Sequence, residues 1–286
     1  MKFLDNVLTD FIEKAPEEFS DATYSAMRER SVGLGVMGLH SYFQQKMIPF
    51  ESVMAKVWNK KIFQHIQEQV NQASKDLAEE RGPCPDASDY GIKERFSNKT
   101  AIAPTASISI ICGGASPGIE PIAANSYTHK TLSGSFNVRN KYLAKLLEKY
   151  KKNDDETWSS ITTNQGSISH LDFLNQEEKN VFKTAFELDQ RWVIDLGADR
   201  TSYISQAQSI NIFIPADIHK RDLHQIHFQA WKKGLKSLYY CRSKSIQRAE
   251  NINSNSSTDV ENNVYKNGRN QTQESEIEYD ECLSCQ

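Results

Sequence analysis

Positive charge is in short supply in this 286-residue sequence, where 34 Lys and Arg are set against 37 Asp and Glu, leaving a formal net charge of −3. A nucleic-acid backbone is neutralised by clustered Lys and Arg, and no long basic patch is present, so a polymer partner of that kind is not expected. No run of about 18 apolar residues occurs, and the start Met1-Lys2-Phe3-Leu4-Asp5-Asn6 passes directly into charged residues without an apolar h-region. The expectation is a cytoplasmic protein without a membrane segment. Cysteine is scarce as well. Five in all, an odd number, do not make the disulfide framework of a small secreted domain, so thiols are the expected state. What is present suffices for a core: 38% of the residues are hydrophobic and 10% aromatic.

The periodicity predicts helices over 3–14, 20–43, 138–151, 177–204 and 218–236. A long amphipathic helix is predicted over 52–80, with Val53, Val57, Phe63, Ile66, Val70, Ala73 and Leu77 at steps of three and four. It should end at Gly82-Pro83-Cys84-Pro85. Gly33, Gly35 and Gly38 fall inside the 20–43 segment and call for close packing against another element, in preference to a nucleotide-binding loop, because no clear strand precedes the Gly-x-Gly. The Ile-rich runs 108–112 and 210–214 read as short buried strands. Strand and helix patterns alternate, which favours an α/β architecture. After about Ala249 the composition turns to Asn, Ser, Thr, Gln and Glu. Such a segment cannot offset the entropy of ordering and is expected to be a disordered tether. The chain therefore divides into a folded portion, 1–248, and a tail, 249–286.

Three stretches carry chemistry. In Ala103-Pro104-Thr105-Ala106-Ser107-Ile108-Ser109, followed by Gly113-Gly114, hydroxyls and free backbone N–H groups share one turn, an arrangement that cradles a phosphate and equally suits an ordinary Ser/Thr-rich turn. Tyr239-Tyr240 sets two phenols side by side, either as strand residues or as steps in long-range, proton-coupled hole transfer. Cys282-Leu283-Ser284-Cys285 is a C-x-x-C at the end of the tether, a redox dithiol or half of a zinc site. Cys84, Cys112 and Cys241 supply no second pair, so the redox reading leads. These three cysteines are read as buried small hydrophobes. His219, His224 and His227 are read as a solvated helix face, and no metal site is expected.

Pro104-Thr105-Ala106-Ser107-Ile108-Ser109 with Gly113-Gly114-Ala115-Ser116-Pro117-Gly118-Ile119-Glu120-Pro121 resembles the substrate-phosphate loop of class I ribonucleotide reductase large subunits. The resemblance continues through Tyr127 to Phe136, Asp189-Gln190-Arg191-Trp192, Gln206-Ala207-Gln208-Ser209 and Phe213 to Asp217, and so spans nearly the whole chain. It implies part of the second half of a ten-stranded α/β barrel followed by the tail. It also implies that Thr105, Ala106, Ser107, Ile108 and Ser109 hold the phosphates of a ribonucleoside diphosphate. Tyr240 would accept the radical from a tyrosine of the small subunit and Tyr239 would pass it to the catalytic cysteine. Cys282 and Cys285 would reduce an active-site disulfide by thiol–disulfide exchange and be re-reduced by thioredoxin or glutaredoxin. A flexible tether of roughly 40 residues has an r.m.s. reach of about 35 Å, enough for such a visit. Glu120 receives no role.

The family's catalytic loop, its thiyl-radical cysteine and the cysteines oxidised in turnover match nothing in this chain. The resemblance thus implies an N-terminal large-subunit fragment as partner, with the chain inactive alone and a split gene or truncation as its origin. The radical-generating small subunit would hold the metal-radical cofactor, with none bound by this chain. The alternatives are an inactive remnant that binds or regulates reductase subunits, and a stand-alone thiol carrier.

Overall fold

The computed structural model describes residues 1–131 and 134–243. The tail and its cysteines Cys282 and Cys285 lie outside the described residues. In chain order the helices and strands are α1 Lys2–Lys14, a short 3-10 turn Glu17–Phe19, α2 Ser20–Glu29, α3 Leu39–Gln45, α4 Val53–Arg81, α5 Pro85–Asp89 and α6 Ala106–Ile111. They continue with β1 Ser126–Thr131, β2 Gly134–Arg139, α7 Lys141–Lys149, α8 Asp155–Thr163, α9 Gln176–Val181, α10 Gln190–Thr201, β3 Ile212–Ile214, α11 Lys220–Lys232 and β4 Cys241–Ser243.

Four extended segments lie side by side in parallel. Leu34 bridges Thr100, Ile102 bridges Gln208, and β3 pairs with β4 in the register Ile212 to Cys241. The ladder is continued by Leu34 N–H to the Lys99 carbonyl (2.9 Å), Ser209 N–H to Ile102 (2.9 Å), Tyr239 N–H to Ile210 (2.8 Å) and Ile212 N–H to Tyr240 (2.9 Å). Parallel neighbours need crossover connections, which helices provide here; β3 is buried, whereas β4 at the edge is exposed. A separate antiparallel hairpin, β1 with β2, projects from the connection after α6.

α4 starts where the Ser52 hydroxyl accepts the Ala55 N–H (3.1 Å) and stops at Gly82, with φ +84°. Its buried positions are Ala55, Asn59, Phe63, Val70, Ser74, Leu77 and Ala78. Of the predicted face, Phe63, Val70 and Leu77 are buried and Ile66 and Ala73 half-buried, whereas Val53 and Val57 are exposed and a polar residue, Asn59, takes the buried place. Asn59 Nδ2 donates to the Leu196 carbonyl of α10 (2.9 Å) and its Oδ1 accepts from Arg200 (3.2 Å), so the helix–helix contact needs an amide there. Burial pushes the Arg200 guanidinium down to about 9. α10 is also tied outward, since Asp195 meets Lys56 of α4 (3.2 Å) and Gln229 of α11 (2.8 Å). One core joins Leu39, Phe43, Phe50 and Phe63 to Ile102, Ile194, Ile210 and Ile212. A second gathers Leu143, Leu147, Trp158, Ile161 and Phe182 around α7–α9.

Four sequence expectations are corrected. The run 108–112 is no buried strand: it belongs to α6, and Ile108 and Ile111 are exposed. Residues 20–43 form two helices with an extended segment between them, and that segment carries Gly33 and Gly35. Their role in close packing holds, because a Cβ on Gly35 would lie 2.8 Å from the Ala101 carbonyl oxygen. The 177–204 stretch is interrupted and yields α9 and α10. Cys84 is buried as expected, but Cys112 and Cys241 are exposed.

Candidate functional site

The loop entering α6 is folded by its own polar groups. Thr105 sits in the left-handed region (φ +56°) at the N-cap, and its Oγ1 accepts the Gly118 N–H at 2.7 Å. Gly118 must be glycine. Its φ is +45°, and a Cβ there would lie 2.9 Å from the Ala103 carbonyl oxygen. The Ser109 hydroxyl donates to the Ala106 carbonyl (2.8 Å) and is buried, while Ser107 is exposed. The five loop residues therefore divide by task. Thr105 and Ser109 spend their hydroxyls on the turn itself. Ala106, Ser107 and Ile108 present first-turn N–H groups that have no acceptor within the helix, and Ser107 adds an outward hydroxyl. An anion on this platform meets convergent N–H dipoles. Ile108 contributes backbone only, its side chain being 56% exposed.

Beside α6, and reached also by Ala106, lies a cavity of about 590 Å³. It is walled by Gln44 of α3, Ser109 and Ile110 of α6, and Asn125, Tyr127 and Asn140 around the hairpin base. Asn140 Nδ2 reaches both Gln44 Oε1 (3.0 Å) and Asn125 Oδ1 (2.8 Å). Tyr239 and Tyr240 do not line this cavity.

Tyr239 and Tyr240 run along the sheet just before β4, with ring centroids 4.1 Å apart at 49°. The rings are 41% and 39% exposed, half in the fold and half at its surface. Their backbone register is fixed by Ile210 and Ile212, and Asn211 Oδ1 accepts the Tyr240 N–H at 3.0 Å. The Arg242 guanidinium stands 5.8 Å over the Tyr240 ring. Beside them, Cys241 Sγ is 3.9 Å from His227 Nε2, whose Nδ1 faces the Leu223 carbonyl (2.9 Å). His219, His224 and His227 are exposed, as the sequence suggested.

Three residues were missed by the sequence reading: Glu120, Asn211 and Arg242. Glu120 is 5% exposed, and burial pushes its carboxyl up to about 7, with Asn211 and the Arg242 charge pulling the other way. Its Oε1 and Asn211 Nδ2 are both left without a hydrogen-bond partner. The sequence offered one signal, an acidic residue embedded in an otherwise uncharged Gly-Ile-Glu-Pro turn.

The family described as "Ribonucleotide reductase, barrel domain" matches residues 1–94 and 86–241. The chain is 49% identical over 259 residues to the ribonucleoside-diphosphate reductase large subunit of Invertebrate iridescent virus 6, covering 89% of this chain and 27% of that protein. Against the large subunit of Invertebrate iridescent virus 3 the identity is 43% over 259 residues, covering 90% and 41%. Among solved structures, the class Id ribonucleotide reductase alpha subunit of Actinobacillus ureae superposes with a TM-score of 0.79 at 40% identity, over 88% of this chain and 46% of that one. The chain thus spans less than half the length of each of these relatives.

Proposed function

Because the chain belongs to the ribonucleotide reductase barrel family, we propose that it works as the substrate-phosphate and radical-relay part of a ribonucleoside-diphosphate reductase. The reaction is reduction of the ribose 2′-hydroxyl to supply deoxyribonucleotides for DNA synthesis. The observation that carries this reading is the division of labour in the α6 loop. Thr105 and Ser109 lock the turn, and the first-turn N–H groups of Ala106, Ser107 and Ile108 with the Ser107 hydroxyl are left facing outward. That platform suits a diphosphate without a lysine.

The adjoining phenols of Tyr239 and Tyr240 suit the relay. Each phenol can give up an electron and a proton together, and ring contact at 4.1 Å keeps the step between them short. In this reading a small subunit holding the metal-radical cofactor delivers the oxidising equivalent to Tyr240. Tyr239 passes it to a cysteine on polypeptide outside these 286 residues, which also supplies the disulfide formed in turnover. Cys282 and Cys285 return the electrons. Their two thiols become a disulfide as the acceptor disulfide becomes two thiols, and thioredoxin or glutaredoxin reverses the exchange. A cytoplasmic setting follows from that reductant, and among the described residues no helix is long and apolar enough to cross a membrane.

The test is reconstitution: this chain is mixed with a polypeptide carrying the family's catalytic loop, a small subunit and thioredoxin. Deoxyribonucleoside diphosphate should form, and omission of this chain should abolish it. Turnover that is unchanged by the omission would defeat the proposal.

A further inference from the structure

Glu120 is a carboxyl that the substrate platform and the relay do not by themselves require, and it is placed between them. On one side, its turn is fastened to the α6 loop. Gly118 N–H binds Thr105 Oγ1 (2.7 Å), Glu120 N–H binds the Pro117 carbonyl (3.0 Å), and Ile119 is buried in the main core. On the other side, the carboxyl faces Asn211 of the β3 segment and the Arg242 charge of β4. Asn211 holds the Tyr240 backbone at 3.0 Å, and Arg242 stands over the Tyr240 ring. Asn211 is only 1% exposed, so its amide has no solvent with which to exchange partners. A buried carboxyl with one oxygen unpartnered costs stability, and groups of this kind concentrate where function requires them.

We propose that Glu120 is a positioning residue for the Tyr239–Tyr240 pair, acting through Asn211 on the backbone of Tyr240 and through Arg242 on its ring. The inference rests on reading the pair as a radical relay. Its structural half holds without that reading. Ionised Glu120 attracts the otherwise unpartnered Nδ2 of Asn211, which keeps Oδ1 aimed at Tyr240 N–H, and it attracts the Arg242 guanidinium. Neutral Glu120 relaxes both. Arg242 is the charged group facing the carboxyl and Asn211 the polar one, so their arrangement follows the protonation of Glu120 between about pH 6 and pH 8.

Amide hydrogen exchange on the full 286-residue chain tests the structural half. At pH 8, Glu120→Gln and Asn211→Ala should each speed exchange at the Tyr240 amide by about three- to tenfold, the worth of one ordinary hydrogen bond, with Leu143 and Leu147 in the second core unchanged. Arg242→Gln, at an exposed side chain, should disturb the near-ultraviolet circular dichroism of the tyrosines in the same direction as Glu120→Gln. Unchanged Tyr240 exchange, or a loss of protection spread evenly over both cores, would overturn the proposal. In the reconstituted enzyme, Glu120→Gln should lower kcat about tenfold with KM for the diphosphate unchanged. A raised KM with kcat intact would instead assign Glu120 to the phosphate loop and refute its role at the tyrosines. If the wild-type mixture makes no deoxynucleotide, the functional reading fails, and the exchange experiment still decides the positioning.

Discussion

Replacing Glu120 by Gln should stabilise the chain in a pH-dependent way that can be worked out from its burial. The carboxyl is raised from an ordinary 4.5 to about 7. Between those values the folded chain keeps a proton that the unfolded chain has released. Stability therefore falls as pH rises through that window and stays lower above it. At ~1.36 kcal/mol per pH unit the penalty reaches ~3 kcal/mol at pH 8 and is still under ~1 kcal/mol at pH 5. Gln has nearly the same shape and does not titrate, so any packing or hydrogen-bonding cost of the amide is the same at both pH values. Urea unfolding of wild type and Glu120→Gln at pH 5 and pH 8 isolates the charge. The difference between the two proteins should move by about 2.5 kcal/mol in favour of Gln on going to pH 8. A difference constant within about 0.5 kcal/mol would show that Glu120 ionises normally and would remove the physical basis for its special placement. Greater stability combined with the loss of kcat expected above is the trade found where a costly group serves function.

Other perturbations give equally definite expectations. Burial pushes His40 down to about 3, and its Nδ1 accepts the Ile122 N–H at 3.0 Å, so the folded chain holds it neutral. Stability should fall as pH drops below 6.5, by about 2 kcal/mol at pH 5, and urea titrations of His40→Gln should lack that component. Asp5, fully buried, is gripped by Arg30 (2.6 Å), Arg81 (2.8 Å) and Arg95 (3.0 Å), whose hydrogen bonds outweigh burial and hold its carboxyl below the ordinary range. Asp5→Ala leaves three guanidinium groups crowded together and should cost about 3–5 kcal/mol in chemical denaturation. Gly35→Ala drives a Cβ toward the Ala101 carbonyl and should cost about 1–3 kcal/mol in the same assay. In the reconstituted enzyme, the double change Cys282→Ser, Cys285→Ser should abolish thioredoxin-supported turnover and spare turnover with a small-molecule dithiol. Loss of both activities would refute the shuttle role.

The long helix α4 and the strand β3 were legible because each obeys a local rule: a sustained three-and-four spacing in one, a short Ile run between turn residues in the other. Ile108-Ser109-Ile110-Ile111-Cys112 followed the same rule and misled. Five residues are too few to separate a helical turn from a strand, and the deciding feature was the Thr105 turn locked from the far side by Gly118. Gly33 and Gly35 signalled close approach correctly, but their partner, Ala101, lies far along the chain, and Gly38 serves instead a left-handed turn into α3, so the break between α2 and α3 went unread. The loop entering α6 and the tyrosine pair were found as motifs. Their geometry was not, because the register of Tyr239 and Tyr240 is set by Ile210 and Ile212 across a parallel pairing. Glu120 stayed silent for the same reason, since Asn211 and Arg242 reach it only when β3 and β4 pair.

The proposed phenol path through this chain is decided by measuring deoxyribonucleoside diphosphate formation in the reconstituted enzyme with wild-type chain and with Tyr240→Phe. Phenylalanine preserves the ring packing against Tyr239 and removes the proton that must leave with the electron. Product should form with wild type, and none with Tyr240→Phe at equal complex formation. Product at the wild-type rate from the variant would contradict the proposed path.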